Sequence, residues 1–130
     1  MTWLNHYLSA RYEDGARGPH KYDCWGLVRE ARHLHCGKAL LPGWDDVRNT
    51  QPKEFTRACM SEAAQMEECQ PEHGAIAAVF RGHICIHVAL VVGYNDRLYG
   101  LEINPTKGAR LQPLPDFERQ YFKVRYYRDR

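Results

Sequence analysis

The sequence lacks the features that mark several large classes of protein. No apolar run approaches the roughly 20 residues that cross a membrane, so we expect no membrane partner. Residues 1–6 lack the basic stretch and apolar core of a secretory signal, which favours cytoplasmic synthesis and retention. The net charge is only +2 and the basic residues are scattered, so the pattern typical of nucleic-acid binding is missing.

The signatures of common cofactor and metal sites are also missing. The chain has no HExxH, Walker or GxGxxG pattern, and its five cysteines include no CxxC spacing. An odd number of cysteines cannot all be paired, which favours free thiols in a reducing compartment. We therefore expect no cofactor and no metal. One alternative stays open, because His83, Cys85 and His87 alternate along a predicted strand and could bind zinc with a fourth ligand.

What is present fits one globular domain over residues 1–130. The chain is 44% hydrophobic and 26% charged, which is an ordinary composition for such a domain. Helical periodicity comes first and strand patterns follow, which predicts an α+β fold. Helices are predicted at 3–10, 24–36 and 52–68, strands at 75–80, 84–92, 97–103, 109–113 and 122–128, and a helical turn at 115–120.

Cys24 stands at the predicted beginning of the second helix. Asp23 is a suitable N-cap, and the apolar residues that follow repeat at helical spacing. The first turn of a helix presents unpaired N–H groups and a partial positive charge, which favour an anion. A thiol there is expected to ionise easily, and the thiolate is the nucleophilic form. The alternative is a buried cysteine that packs as a small hydrophobic residue.

The predicted strand at 84–92 supplies a candidate base for this thiol. Strict alternation predicts a bulky face and a small face, the small one made of Cys85, His87, Ala89 and Val91. If the helix of Cys24 packs on the small face, His87 faces the thiol, and such a pair is an activated nucleophile. A third polar group usually orients the histidine, and the next strand offers Glu102 and Asn104. The alternative is a hydrogen-bonded histidine in the core.

Several segments together resemble one family, the NlpC/P60 papain-like cysteine peptidases. Residues 23–28 (DCWGLV) resemble its nucleophile motif, and residues 87–93 (HVALVVG) resemble the strand that carries its catalytic histidine. Residues 12–15 (YEDG) are similar to its Tyr-x-x-Gly segment, and residues 40–42 to the turn after its nucleophile helix. The likeness covers roughly residues 10–114 and keeps the order of the elements.

The resemblance implies a fold and a reaction. It implies a papain-like fold, in which N-terminal helices, including the nucleophile helix, pack on an antiparallel sheet. It implies hydrolysis of amide bonds in peptidoglycan stem peptides through a thioester acyl-enzyme, without a cofactor. Cys24 would be the nucleophile and His87 the base. Tyr12 and the backbone N–H of Cys24 would bind substrate or the oxyanion.

Two further points concern the branch of the family and its third catalytic position. Trp25 in place of the commoner serine, with the short length and the missing signal, resembles the bacteriophage or prophage tail-assembly branch, which implies other tail proteins as partners and a place in the virion tail. The family's third position is normally a histidine, and residues 97–104 contain none. Asn104 is the expected replacement, since its amide oxygen can accept from the imidazole, and Glu102 is the next. The alternative function is a catalytically weak or inactive structural component of the tail.

Overall fold

The computed structural model describes residues 2–44 and 47–130. Four helices and eight strands lie in these residues. In chain order they are α1 (Trp3–Leu8), β1 (Arg11–Tyr12), β2 (Lys21–Tyr22), α2 (Cys24–Cys36), α3 (Pro52–Ala63), β3 (Met66–Cys69), β4 (Ile76–Arg81), β5 (Ile84–Tyr94), β6 (Arg97–Asn104), β7 (Gly108–Pro113), α4 (Leu114–Arg119) and β8 (Lys123–Asp129).

Six of the strands form one antiparallel sheet in the order β3-β8-β4-β5-β6-β7. The helices and this sheet confirm the predicted α+β class. β1 and β2 form a short parallel pair within the loop that leads to α2. None of the helices in the described part of the chain is long and apolar enough to cross a membrane.

The second helix has the boundaries that its sequence predicts. Asp23 caps it, since its Oδ1 accepts from the backbone N–H of Gly26 at 2.8 Å. Gly37 ends it with a φ of 69°, in the left-handed region where glycine is favoured. The predicted third helix was too long, because α3 ends at Ala63 and Met66 begins a strand whose backbone pairs with β8. Pairing at the sheet edge there overrides the helical pattern of the sequence.

The main sheet separates two apolar layers. One layer lies between the sheet and the helices α1, α2 and α3, and it contains Leu27, Val28, Val88 and Leu90. The other layer lies under α4 and contains Ala89, Val91 and Phe117. β5 therefore presents alternate side chains to two different layers.

A β-bulge in β5 overturns its predicted faces. Val79 of β4 pairs with His87, whereas Phe80 pairs with Cys85, so Ile86 is an extra residue on β5. One extra residue reverses the alternation, and Cys85 consequently packs with Val88 on the side of α2. His87 lies on the opposite side, where its register partner Val79 packs. His87 keeps the face of Ala89 and Val91, but α2 packs on the opposite face, with Val88 and Leu90. The prediction that α2 packs on a small face containing His87 is therefore wrong.

Candidate active site

Cys24 occupies the first turn of α2 and is almost completely buried, with 1% of its surface exposed. Its sulfur lies against the backbone N–H groups of Val88 and Trp25, which favour the thiolate. Burial first, and the charge of Asp23 second, outweigh them and raise the pKa of Cys24 well above its ordinary value. The prediction of an easily ionised thiol is thus wrong for the free protein.

His87 and Glu102 form a buried pair on the other side of β5. The Nε2 of His87 lies 2.9 Å from Oε1 of Glu102, which is fully buried. Burial pushes the pKa of Glu102 upward, but hydrogen bonds from His87 and Tyr121 and the charge of Arg110 bring it below its ordinary value. An ionised carboxylate only accepts hydrogen bonds, so Nε2 of His87 carries the proton. In the neutral ring, Nδ1 then holds the lone pair that a general base needs.

Glu102 has two further donors that the sequence analysis missed. The hydroxyl of Tyr121 donates to Oε1 at 2.6 Å, and Nη2 of Arg110 donates to Oε2 at 3.0 Å. Arg110 lies directly opposite Glu102 in the β6–β7 ladder. A hairpin whose turn is centred on the loop at 104–108 gives this register. The position of Arg110 opposite Glu102 could therefore have been predicted from the sequence. Tyr121 comes from the segment after α4, and no local pattern indicates it.

Asn104 does not face the imidazole. Its Oδ1 accepts from the backbone N–H groups of Thr106 at 3.0 Å and Lys107 at 2.7 Å, and so closes the turn between β6 and β7. The preference for Asn104 over Glu102 as the partner of His87 is therefore wrong. The physical reason is position along the strand, because Asn104 is the last residue of β6 and its amide satisfies the turn.

Cys24 and His87 lie on opposite sides of β5, and the thiol lies against the backbone of this strand next to His87. The Val88 N–H that lies against the Cys24 sulfur belongs to the peptide unit directly after His87. Within the residues that the structure describes, no hydrogen bond joins the thiol and the imidazole ring. The structure thus brings the thiol to the strand that carries the base, with the ring turned toward Glu102.

Tyr12 lies near enough to Cys24 for the charge of the thiolate to affect its ionisation. Its hydroxyl donates to Oδ1 of Asn49 at 3.1 Å. Burial, and then the neighbouring Cys24, raise the pKa of Tyr12 to about 12. A phenol with so high a pKa stays protonated at neutral pH and can donate a hydrogen bond to a ligand oxygen.

Arg17 holds the loop around Cys24 and was not found by sequence reasoning. Its Nη1 is 2.6 Å from Oδ2 of Asp23, so the helix cap is also half of an ion pair. Its Nε donates to the carbonyl of Gly43 at 2.7 Å and its Nη2 to that of Val47 at 3.0 Å. These bonds tie the approach to α2 to the segment that follows that helix.

The loop backbone packs directly on the first turn of α2. The N–H of Asp23 donates to the carbonyl of Ala16 at 2.9 Å. A Cβ at Gly26 would overlap that same carbonyl oxygen, so only glycine allows this approach. The N–H of Cys24 has no hydrogen-bond partner among the described residues, as is usual for the first residue of a helix.

The alternative zinc site requires His83, Cys85 and His87 on one face, and the bulge turns Cys85 away from His87. Cys85 instead has its Sγ 3.0 Å from that of Cys59 on α3. Across residues 2–44 and 47–130, no group of three or more His, Cys, Asp or Glu side chains could hold a metal ion.

Comparison with known proteins adds no family, because no protein-family model matches the chain and no curated protein matches it. Any functional argument therefore rests on the side chains themselves. They provide a thiol at the beginning of a helix and an imidazole with a buried carboxylate on one nitrogen, and the backbone adds an unpaired N–H at Cys24. Such a set of groups can perform acyl transfer through a thiol.

Proposed function

We propose that the chain is a cysteine peptidase of the NlpC/P60 type that hydrolyses amide bonds of peptidoglycan stem peptides. The observation that supports it best is the buried pair of His87 and Glu102, which leaves Nδ1 of the ring to act as base on the strand beside Cys24. A carboxylate in place of an amide at the third position also stabilises the imidazolium that forms when the base takes a proton. In this proposal the α+β fold is papain-like.

Acylation needs contact between the thiol and the base. In the structure the two side chains lie on opposite sides of β5, so the proposal requires a rearrangement of this strand at its bulge that brings Nδ1 of His87 to the thiol. Nδ1 then takes the thiol proton. The thiolate attacks the amide carbon and forms a C–S bond, while the oxyanion accepts from the Cys24 N–H and from Tyr12. The imidazolium gives its proton to the departing amine as the C–N bond breaks. A thioester remains on Cys24.

Deacylation uses the same groups in reverse. Nδ1 of His87 takes a proton from water, whose oxygen attacks the thioester carbon. The C–S bond breaks, the sulfur recovers its proton from the imidazolium, and the free carboxylic acid leaves. Glu102 stays ionised throughout and holds Nε2 protonated, so the ring presents the same nitrogen in both steps.

The proposed setting is a phage or prophage tail. Trp25 in the motif at 23–28 supports this branch. The protein would be made in the cytoplasm, join other tail proteins and open the cell wall locally. No cofactor takes part in the proposed reaction.

Digestion of purified sacculi tests the proposal. Wild type, Cys24→Ala and His87→Ala are incubated with sacculi of several stem-peptide types, and released muropeptides are identified by mass spectrometry. Cys36→Ala is the matched control, since Cys36 lies at the other end of α2. We expect release by wild type and the control, and a loss of about 1,000-fold or more in the other two. Equal release by wild type and Cys24→Ala would remove Cys24 from the mechanism.

The second candidate function is a structural component of the tail without turnover. The burial of Cys24 and its raised pKa favour it, because both oppose a reactive thiolate. This function predicts that folded wild type releases no muropeptide from any type of sacculus. It also predicts that Cys24→Ala is as competent in tail assembly as wild type.

A further inference from the structure

We propose that Arg110 and Tyr121 are positioning residues that keep Glu102 ionised and thereby fix the tautomer of His87. The catalytic meaning of this inference rests on the proposed function, whereas its structural content does not. Neither residue belongs to the segments that resemble a known catalytic motif.

Both oxygens of Glu102 accept hydrogen bonds from side chains. Oε1 accepts from Nε2 of His87 at 2.9 Å and from the hydroxyl of Tyr121 at 2.6 Å, and Oε2 accepts from Arg110 at 3.0 Å. Glu102 has no exposed surface, so water cannot replace a lost donor without rearrangement. Three groups from three elements therefore face the carboxylate, one on β5, one on β7 and one after α4.

The protonation state of Glu102 decides which ring nitrogen of His87 is the base. An ionised Glu102 requires a proton on Nε2 and leaves Nδ1 with the lone pair. A protonated Glu102 could donate to Nε2 instead, and the ring proton would then sit on Nδ1. In the second arrangement Nδ1 carries the proton and can no longer accept one from the thiol. Burial by itself favours the protonated carboxyl, so the donors are necessary.

Arg110 supplies the compensating charge and is itself held in place. Its Nη2 also donates to Oε1 of Gln120 at 2.6 Å, and its side chain is 20% exposed. Gln120 and Tyr121 are adjacent, so the short segment after α4 both fixes Arg110 and contributes a donor. The ring of Phe117 lies 5.2 Å from that of Tyr121 and fixes the segment on the sheet.

The inference is tested by NMR on the folded protein without substrate. Selective labelling follows the side-chain carboxyl carbon of Glu102 and the ring nitrogens of His87 between pH 3 and 8. The variants are Arg110→Met, Arg110→Lys and Tyr121→Phe. Arg128→Met is the matched control, because Arg128 pairs with the exposed carboxylates of Glu67 and Glu72 on β3 and the loop after it.

We expect Arg110→Met to move the Glu102 titration midpoint up by about one pH unit or more, as for loss of a close opposite charge. Tyr121→Phe also moves it up, because a hydrogen bond to the ionised carboxylate is lost, and Arg110→Lys restores most of the wild-type value. An unchanged Glu102 midpoint in both Arg110→Met and Tyr121→Phe would overturn the inference. If one of these variants fails to fold, an unchanged midpoint in the other overturns it.

A parallel measurement of kcat/KM against pH separates this inference from the proposed function. If wild type cleaves peptide, the acid limb of the Arg110→Met profile shifts upward with the Glu102 midpoint, and the Arg128→Met profile does not. If wild type cleaves nothing but the NMR shifts occur, the proposed function fails and the inference on the tautomer holds. If cleavage is normal and the NMR midpoints do not move, the inference fails and the function holds.

Discussion

Two opposing effects act on the pKa of the Cys24 thiol. The beginning of a helix is worth about 0.3–1 kcal/mol to an anion at an exposed site. Complete burial shifts a pKa by up to about 3–5 units, each worth about 1.4 kcal/mol. Burial is the larger effect, which explains why the pKa of Cys24 is raised although the thiol lies in the first turn of α2.

Alkylation rates test this balance at single cysteines. At pH 8 and without substrate, iodoacetamide is expected to label the half-exposed Cys36 and Cys69 at least about 10-fold faster than Cys24, since the reagent needs both access and thiolate. Peptide mapping by mass spectrometry at several times gives the rates. Labelling of Cys24 ahead of the other two would contradict the burial described here. A sample in denaturant, where all five label alike, is the control.

The substitution Glu102→Gln removes the charge of the partner of His87 and keeps the size of its side chain. The amide keeps the volume but can donate to Nε2 of His87, so the ring loses its fixed tautomer. We expect kcat/KM on stem peptides to fall by about 100-fold or more, with a small change in KM. Asn104→Ala is the matched control, since Asn104 closes a turn and does not contact the ring. A larger loss in Asn104→Ala than in Glu102→Gln would contradict the assignment.

The same substitution has a predicted effect on acid stability. The folded pKa of Glu102 is lowered, so its ionisation stabilises the fold above the unfolded pKa of about 4.3 and this stability is lost as pH falls through the folded pKa. The Tm of wild type should therefore exceed that of Glu102→Gln at pH 7, and the gap should narrow below about pH 4. Calorimetry between pH 3 and 7 measures it. A gap that stays constant would show that Glu102 does not couple to folding in this way.

Among the elements, the beginning of α2 is the most tightly specified. Asp23 caps the helix, pairs with Arg17 and donates its N–H to the loop, and Gly26 allows that loop to approach. The sequence predicted the helix from Asp23 to Gly37 because cap, periodicity and stop signal agree locally. Arg17 could not be predicted, since its acceptors lie on residues far along the chain.

Gly26→Ala tests the packing of that loop. The new Cβ collides with backbone rather than with a flexible side chain, so we expect a loss of about 1–3 kcal/mol in the free energy of unfolding. Urea denaturation measures it. Leu34→Ala in the same helix is the control, because Leu34 is 60% exposed and its truncation should cost far less. Equal stability of wild type and Gly26→Ala would mean that the loop does not lie on the helix.

The position of β5 could be predicted from the sequence, but the bulge within it could not. The strand's position and its hairpin with β4 were predicted correctly, since the turn at 81–83 and the apolar alternation are local signals. The bulge at Ile86 has no such signal, and one unpaired residue moved Cys85 and His87 to different faces. Glu102 was named but ranked second, because the strand pattern does not tell which of two residues reaches a side chain on a neighbouring strand.

At the scale of the whole molecule, the sheet divides the candidate site. Cys24 approaches β5 from the layer of α2, whereas His87, Glu102 and Tyr121 meet in the layer of α4. The site is therefore assembled from both layers, and its chemistry depends on the intact fold. Burial raises the pKa values of Cys24, Tyr12 and Tyr121 in this site, so these groups stay protonated at neutral pH.

This burial predicts a loss of stability in alkali. Burial is the first cause that raises the pKa values of four buried groups, Cys24, Tyr7, Tyr22 and Tyr126. Such a group ionises in the unfolded chain before it does so in the folded one, so stability falls as pH rises above about 8.5 for thiols and about 10 for phenols. The urea midpoint between pH 7 and 10.5 measures this, and Cys24→Ala should show a shallower decline. A midpoint that stays level to pH 10.5 would contradict the prediction.

The most direct measurement of the central claim is the mass of a trapped acyl-enzyme. Wild type is mixed with a stem peptide that it cleaves, quenched in acid within milliseconds to seconds, and examined by intact-protein and peptide mass spectrometry. The account predicts an added mass equal to the acyl part of the peptide, located on Cys24, absent in Cys24→Ala and strongly reduced in His87→Ala. The same adduct in Cys24→Ala, or cleavage by wild type with no adduct on Cys24 at any time, would contradict it.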